Sequence, residues 1–338
     1  MDYLKIVYEW IVGFLGLDQL IGIIKTGNYH SLLTREGFRS VIGALSSFLL
    51  FIELTKALIF KKFKVIDYKI PFFSYVFNAF IGRFISIAVV VFCIDLFGKY
   101  AFLKTSFTWY WFIYGYIVWE FGHFIYHYLG HKVRLFWCLH STHHAPQAMN
   151  LSVSYAHFFL EAPYADFIRT TVCILFGVQP AMLFIIMFID GVWGGFIHIG
   201  EHMIRNGRIG FLGYFILTPS HHRVHHAKNP LYMDTNFCNL LNIWDHVFHT
   251  YQPEQPEVPV IYGITREMKP NSFIDAYFGE IRCLIKDVRK APGIKNKLLY
   301  IIMPPGWNHK GEHKTASRIR GEYLNHNLQI MENQLQKA

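Results

Sequence analysis

Five long apolar stretches occupy the first 200 residues and limit the folds open to this chain. A helix needs roughly 20 mainly apolar residues to cross a bilayer, and every stretch is long enough for that. Most of them contain one or two charged residues, which are costly in lipid and should face the bundle interior or an interface. The pattern predicts an all-α fold, an integral membrane helical bundle with about four to six membrane helices. The stretches are 4–24, 41–60, 72–97, 107–129 and 170–199, the last being a helical hairpin that breaks at 177–180.

The composition agrees with this prediction and excludes other classes of protein. Hydrophobic residues make up 53% of the chain and charged residues only 16%, whereas an average soluble domain has about 25% charged residues. A chain this apolar can bury a large core, so disorder is excluded. An all-helical soluble protein with buried aromatic faces stays open as the alternative, because 18% of the residues are aromatic.

The distribution of charge predicts an orientation and a partner. The region 61–69 contains four lysines, whereas 98–106, after the next apolar stretch, contains two. The positive-inside rule therefore places 61–69 in the cytosol and brings the end of 107–129 back to that side, in a bacterial inner membrane or an ER-like membrane. The net charge of +9 suits an anionic lipid face. The chain has no zinc finger and no basic stripe interleaved with aromatic residues, so nucleic acid is not an expected partner.

Three regions are predicted from these changes along the chain. Residues 1–106 form the N-terminal membrane helices, and 107–250 form the region that carries the histidine motifs. After 250 a Pro- and Glu-rich stretch reads as a loop, and the following sequence is far more charged. We expect 251–338 to be a cytosolic C-terminal tail of helices.

Histidine is the residue that points to chemistry, since 15 of the 19 histidines lie between residues 120 and 250. Two HxxxH pairs occur, and four-residue spacing on a helix aims both imidazoles to one side. Two HxxHH motifs also occur, in which the first and last histidines share a helix face and the middle one lies beside it. The pairs are His127/His131 and His198/His202, and the triplets are His140/His143/His144 and His222/His225/His226.

So many converging imidazoles favour a metal site. Neutral imidazole is the commonest protein ligand for transition-metal ions, whereas a cluster without a cation would be desolvated or, if protonated, would repel itself. Nine or more ligands exceed the coordination positions of one ion, so two metals are implied. A pH-sensing or packing cluster stays open as the alternative, and imidazole alone does not distinguish iron from zinc.

The three motifs His127-xxx-His131, His140-xx-His143-His144 and His222-xx-His225-His226 resemble the fatty acid hydroxylase/sterol desaturase superfamily of integral-membrane di-iron oxygenases. The sequences LFWCLHSTHH at 135–144 and TPSHHRVHHAKNP at 218–230 are similar to its alkylglycerol monooxygenase-like bacterial members. The resemblance is dense over about 107–265. It implies a cytosolic helical cap that holds a His-rich di-metal site.

The resemblance also implies an activity and its requirements. Such an enzyme uses two iron ions and O2 to hydroxylate or desaturate a lipid or lipid-like substrate, and ether-lipid cleavage by alkyl-chain hydroxylation is one outcome. Electrons come from a donor protein or a soluble reductant, with tetrahydrobiopterin as one candidate. A sterol- or carotenoid-type desaturase and a non-enzymatic metal-handling membrane protein stay open as alternatives. Lys132 stands where ether-cleaving relatives carry an acidic residue, and His249 where the family has glycine.

The family places a histidine 20 residues before the third motif, and counting back from His222 reaches His202. The resemblance therefore favours His202 over His198 as a ligand. The nine expected ligands are His127, His131, His140, His143, His144, His202, His222, His225 and His226. Five further residues are candidates for binding metal or for orienting a ligand: His123, His198, His221, Glu120 and Asp245.

Overall fold

The computed structural model describes residues 48–79, 82–269 and 272–335, together with a few isolated positions before residue 48. The chain divides into two compact units, Met1–Phe63 and Lys64–Ala338. In the first unit 48–59 is helical, whereas nearly all of the predicted stretch 4–24 lies outside the described residues. The histidine motifs all belong to the second unit.

The second unit is all-α over its described residues, which confirms the predicted class. No strand forms in this part of the chain, where only two isolated bridges pair Ile216 with Leu241 and Ala227 with Tyr262. The helices are α1 (Val65–Ala79), α2 (Gly82–Phe97), α3 (Trp109–Lys132), α4 (Arg134–His144), α5 (Glu161–Leu175), α6 (Pro180–Phe196), α7 (Pro219–His225), α8 (Ile243–Val247), α9 (Phe273–Lys290), α10 (Gly293–Ile302) and α11 (Ala316–Leu335).

The helix boundaries match the apolar stretches in part. The stretch 107–129 is a single helix, α3, and the hairpin at 170–199 breaks as expected between α5 and α6. Gly177 in that break has φ 74°, and a Cβ there would lie 2.0 Å from the carbonyl oxygen of Leu103, so no larger residue fits. The stretch 72–97 instead contains parts of two helices, α1 and α2. None of the described helices has both the length and the apolar character needed to cross a membrane.

The main core surrounds the first half of α3. Trp119 of α3 packs there with Cys173 of α5 and with Met182, Leu183 and Ile186 of α6, all of them nearly inaccessible to solvent. This packing fixes α3 along its length, because large buried side chains fill the interior at crystal-like density. The histidines lie on the second half of the same helix, so the core holds them on a rigid support.

The helices after residue 250 cover the histidine region and pack in the same compact unit. Cys138 of α4 is buried against Leu284 of α9 and Tyr300 of α10. The Nε of Arg320 on α11 donates to the carbonyl of Leu231 at 2.8 Å. The boundary between compact units lies at 63/64. The buried contacts above join the predicted regions 107–250 and 251–338. The predicted division at 106/107 and 250/251 stays a prediction.

His249 follows the C-terminus of α8 with φ 58°, in the left-handed region that favours glycine. The side chain is exposed, so its removal costs no packing. We expect His249→Gly to raise the free energy of unfolding by about 1 kcal/mol, because a Cβ is strained in this conformation. Urea denaturation measures the change. His249→Ala is the matched control: it keeps the Cβ, and an equal gain from both substitutions would contradict the backbone explanation.

Candidate metal centre

Nine buried histidines form two adjacent groups in the interior, and in each group the ring nitrogens lie within 4.8 Å of one another. The five-histidine group consists of His127, His131, His140, His144 and His225. The four-histidine group consists of His143, His198, His222 and His226. The groups lie side by side, because the rings of His144 and His226 stack with centroids 4.5 Å apart.

Each HxxHH motif contributes to both groups. In the first motif His140 and His144 belong to the five-histidine group and His143 to the other. The second motif is arranged in the opposite sense, with His222 and His226 in the four-histidine group and His225 in the other. Helical periodicity explains this division: residues i and i+4 lie one above the other, whereas i+3 is rotated to the side. One motif can therefore serve two adjacent ions.

In the five-histidine group the outer ring nitrogens already have acceptors. The Nδ1 of His127 donates to the carbonyl oxygen of Phe237 at 2.8 Å, and that of His225 donates to the carbonyl of Thr235 at 2.8 Å. The Nδ1 of His140 donates to the carboxylate of Glu161 at 2.5 Å. A neutral imidazole has a single N–H, and these bonds use it. Burial lowers the pKa of His127 and His225 well below the usual value, so the inner Nε2 atoms of these two residues carry lone pairs.

The inner Nε2 atoms of the five-histidine group lie close to one another. The Nε2 atoms of His127 and His140 are 3.1 Å apart, and those of His140 and His144 are 3.0 Å apart. Two ligands at right angles, each about 2.1 Å from one ion, would have nearly this separation. Two facing lone pairs repel unless a cation lies between them. The arrangement of the five-histidine group is therefore more favourable with a bound metal ion than without one.

The protonation of the cluster agrees with metal binding. Burial lowers the pKa of His131 to about 4, although its contact with Asp234 raises it. Burial, reinforced by neighbouring imidazoles, also lowers the pKa of five others well below the usual value: His143, His144, His222, His225 and His226. All six are neutral at pH 7 and can present a lone pair.

In the four-histidine group, the ring of His198 is held in the same way. The Nδ1 of His198 donates to the carbonyl oxygen of Gly194 at 2.6 Å, which leaves its Nε2 as a lone pair. That Nε2 lies 2.8 Å from the Nε2 of His222 and 3.2 Å from that of His143. The Nε2 atoms of His222 and His226 are 3.0 Å apart. Four ligands leave coordination positions open at an ion that binds six.

Glu161 joins the two groups and was not among the residues singled out in the sequence. Its Oε1 accepts from His140, and its Oε2 accepts from the Nδ1 of His157 at 2.8 Å. The ring of His157 stacks on His143 of the four-histidine group, with centroids 4.3 Å apart. Burial alone would raise the pKa of Glu161, but His157 and His140 lower it to about 2, so the carboxylate is ionised. The spacing His157-xxx-Glu161 was the available signal.

Asp234 is a second acidic residue that the sequence reading did not select. Its carboxylate lies 3.4 Å from the Nδ1 of His131 and forms a short ion pair with Lys132. Lys132 thus supports the site from outside through Asp234. A carboxylate beside a ligand imidazole orients the ring and makes its other nitrogen more basic.

Glu120 and Asp245 do not contact any imidazole of the two groups. Glu120 accepts backbone N–H groups from Asn239, Leu240 and Leu241, at 2.7–3.1 Å. Asp245 accepts those of Phe237 and Cys238, at 2.8 and 2.9 Å. Both carboxylates therefore hold the loop that presents the Phe237 carbonyl to His127. They orient a ligand only through this loop.

The structure groups His198, and not His202, with the other histidines. His198 lies in the four-histidine group, whereas His202 lies in neither group. His198 lies two residues after α6 and its Nδ1 is held by Gly194 one turn earlier, while 201–206 consists of turns and bends. Counting 20 residues back from His222 reaches His202, which the structure leaves outside both groups, and the preference for it as a ligand stays a prediction. The other eight expected ligands are all brought together.

Two further candidates lie outside both groups. His123 is one turn before His127, and its Nδ1 is 3.7 Å from a carboxylate oxygen of Asp190. His221 uses both ring nitrogens, since its Nδ1 accepts from the backbone N–H of Thr218 and its Nε2 lies 3.0 Å from the hydroxyl of Tyr251. His221 therefore has no lone pair for a metal.

A cavity of about 580 Å³ reaches the five-histidine group from the end of α3. His131, His144 and His225 form its inner wall, with Trp137 beside them. The four-histidine group contributes none of the described lining residues. Helices α9 and α11 close the outer wall, so the C-terminal region completes the approach to the centre.

Residues 112–250, which contain both groups, match the family model described as fatty acid hydroxylase. Over this segment, about two fifths of its length, the chain is similar to the fatty acid hydroxylase family. The segment includes all nine grouped histidines as well as Glu161 and Asp234. The family match therefore coincides with the geometric centre.

Curated relatives agree with the family. The chain is 30% identical over 190 residues to an alkylglycerol monooxygenase of Xenopus tropicalis, covering 56% of this chain and 40% of the relative. It is 31% identical over 188 residues to the Homo sapiens alkylglycerol monooxygenase, with the same shares. The ornithine lipid hydroxylase OlsE of Rhizobium tropici is 29% identical over 153 residues, or 45% of this chain and 44% of that protein. The chain thus spans less than half the length of these relatives. No solved structure is significantly similar to it.

Single substitutions at His198 and His202 test which of the two binds metal. We expect His198→Ala to lower the metal content by about one ion per chain, because it removes one of only four ligands of its group. His202→Ala should leave the metal content unchanged. Elemental analysis of anaerobically purified protein measures both variants, which differ only in the position of the lost imidazole. Metal loss in His202→Ala with retention in His198→Ala would refute the grouping.

Glu161→Gln tests the carboxylate that joins the groups. A carboxamide has one acceptor oxygen, so it cannot accept from both His140 and His157. We expect metal affinity to fall by about 10–100-fold, as is usual when a partner of a ligand imidazole is lost. Competition with a chelator measures this. Glu322→Gln, at an exposed position of α11, is the control, and equal chelator resistance of both variants would contradict the role of Glu161.

Proposed function

We propose that this chain is a non-haem di-iron oxygenase that hydroxylates a lipid. The observation that carries the proposal is the pair of adjacent histidine groups whose lone pairs converge in a buried space. Two adjacent ligand groups suit two metal ions that act on one substrate, whereas a structural metal site needs a single ion with all its coordination positions filled by protein ligands. The iron ions would be held by the five- and four-histidine groups, with His198 in place of His202.

The nature of the metal and of the reaction is supported by the relatives. Their names describe a monooxygenase acting on alkylglycerol and a hydroxylase acting on ornithine lipid, so both act on lipids. An all-imidazole ligand set suits iron as well as zinc, and oxidation of lipid requires the redox-active metal. Bound iron would supply the activation of O2 and the oxidation of a C–H bond.

The chain's own residues prepare the site for this chemistry. Carbonyl oxygens of Phe237, Thr235 and Gly194 fix the ring orientations, so the ligands need little rearrangement when metal binds. Glu161 remains ionised, orients the ring of His140 and makes its inner nitrogen a more basic ligand. The buried position of both groups excludes bulk water, which limits side reactions during oxidation.

The proposal includes attachment to a membrane, with the centre on its cytosolic side. Large apolar side chains are exposed on α1 and α2, including Phe72 at 60%, Ile87 at 58% and Phe92 at 53%. Exposed apolar patches of this kind mark surfaces that contact lipid or protein. Because the proposed substrate is a lipid, we infer that this surface contacts lipid and not another protein. Electrons would come from a separate donor protein or a soluble reductant, tetrahydrobiopterin among them.

Mass spectrometry of lipids tests the proposed function. Cells that express the chain should accumulate lipid species heavier by one oxygen atom, and that oxygen should come from labelled O2 and not from water. Loss of two hydrogens from a lipid would instead identify a desaturase. His222→Ala should abolish the product because it removes a ligand, whereas His326→Ala, an exposed histidine on α11, should not. An unchanged lipid profile with iron-loaded protein would overturn the proposal.

A further inference from the structure

The lining of the cavity beside the five-histidine group has more positive than negative charge. Its lining contains three carboxylates, and each has a cationic partner. Asp287 pairs with Arg134 at 2.6 Å, and Glu280 pairs with Arg266 at 2.8 Å. Asp234 is paired with Lys132, just outside the lining. The acidic groups are therefore already neutralised.

Three lysines of the lining remain without an acidic partner among the described residues: Lys228, Lys286 and Lys314. They come from three different parts of the chain, namely the loop after α7, helix α9 and the segment before α11. All three side chains belong to exposed residues, so the amines lie at the outer rim and not beside the histidines. Such a rim attracts anions and holds them near the mouth.

Between the histidines of the inner wall and the rim, the lining of the same cavity is mostly apolar. Trp137 lies against the metal-binding group, with its ring centroid 5.2 Å from that of His131 and 5.6 Å from that of His144. Met233, Ile264 and Ile319 extend this apolar surface toward the rim. A ligand that satisfies both parts has an anionic end at the lysines and an apolar part that reaches the five-histidine group. The volume of about 580 Å³ is that of a typical small-molecule site.

We propose that this cavity binds an amphiphile with an anionic head, and that the substrate is a lipid of this class held by Lys228, Lys286 and Lys314. The inference rests on the proposed function in treating the ligand as the substrate. The head would be fixed at the rim and the apolar chain would lie along Trp137, which brings a chain carbon toward the five-histidine group. Selection between lipids would then depend on the charge of the head.

Binding of three related probes to the full-length protein tests the proposal without turnover. The probes are a short-chain 1-acylglycerol 3-phosphate, the monoacylglycerol with the same chain, and glycerol 3-phosphate, all used as monomers in calorimetric titrations. We expect the acylglycerol phosphate to bind about tenfold or more tightly than either other probe. The monoacylglycerol lacks the charged head, and three exposed charge pairs, each of modest strength, add up. Glycerol 3-phosphate lacks the apolar chain that would lie along Trp137. Glycerol 3-phosphate binding as tightly would show a site for a soluble anion and overturn the lipid assignment.

The triple variant Lys228→Gln, Lys286→Gln and Lys314→Gln should reduce the preference over monoacylglycerol to less than about threefold. Lys290→Gln, Lys295→Gln and Lys310→Gln together form the control, because they remove the same charge from exposed positions outside the cavity lining. An unchanged preference in the first variant, or an equal loss in the control, would overturn the proposal. Metal content, measured for both, confirms that the fold is retained.

The two proposals fail in different ways. If the binding preference holds and no lipid is oxidised, the oxygenase function is wrong and the binding site stands without a substrate role. If lipids are oxidised but neutral and anionic probes bind equally, only the charge selection is wrong.

Discussion

The convergence of nine buried imidazoles is the constraint on which the rest of this structure depends. Facing lone pairs about 3 Å apart are repulsive by themselves, so the arrangement persists only if each ring is held from behind or a cation lies between. The chain holds the rings from behind with backbone carbonyls and with the carboxylate of Glu161. The same bonds direct the lone pairs inward, and this is how the fold prepares a metal centre.

Much of the surrounding structure serves these acceptors. Glu120 and Asp245 are buried carboxylates, and burial of a carboxylate is destabilising unless it is hydrogen-bonded. Together they accept hydrogen bonds from five backbone N–H groups of residues 237–241. That loop carries the carbonyl that orients His127. Helices α9 to α11 add a second layer over the open side and shape the cavity. The C-terminal region is thereby part of the site and not an appendage.

The sequence predicted the ligands well where they share a helical turn and less well elsewhere. The pairs and triplets on α3, α4 and α7 lie together as their spacing indicated. The structure groups His198 instead of His202 with the other histidines. An irregular segment separates both from α7, and no periodicity relates positions across such a segment. Glu161 and Asp234 were missed because the sequence does not indicate which imidazole an acidic residue contacts when the two lie on different elements, as Glu161 and His140 do. Spacing supplies that information only when both partners lie on one element.

By itself the sequence determined the all-helical class, the histidine-rich ligand chemistry and the division of each HxxHH motif between two neighbouring positions, since all three follow from local composition and from the 3.6-residue helical turn. Only the tertiary structure decided which carbonyl orients which ring, whether His198 or His202 enters the centre, and where the lysines meet. The acceptor of His127 lies 110 residues away, at Phe237, and the loop clasped by Glu120 begins 119 residues away, at Asn239. Contacts over such distances depend on how the helices pack, and packing is a property of the whole core.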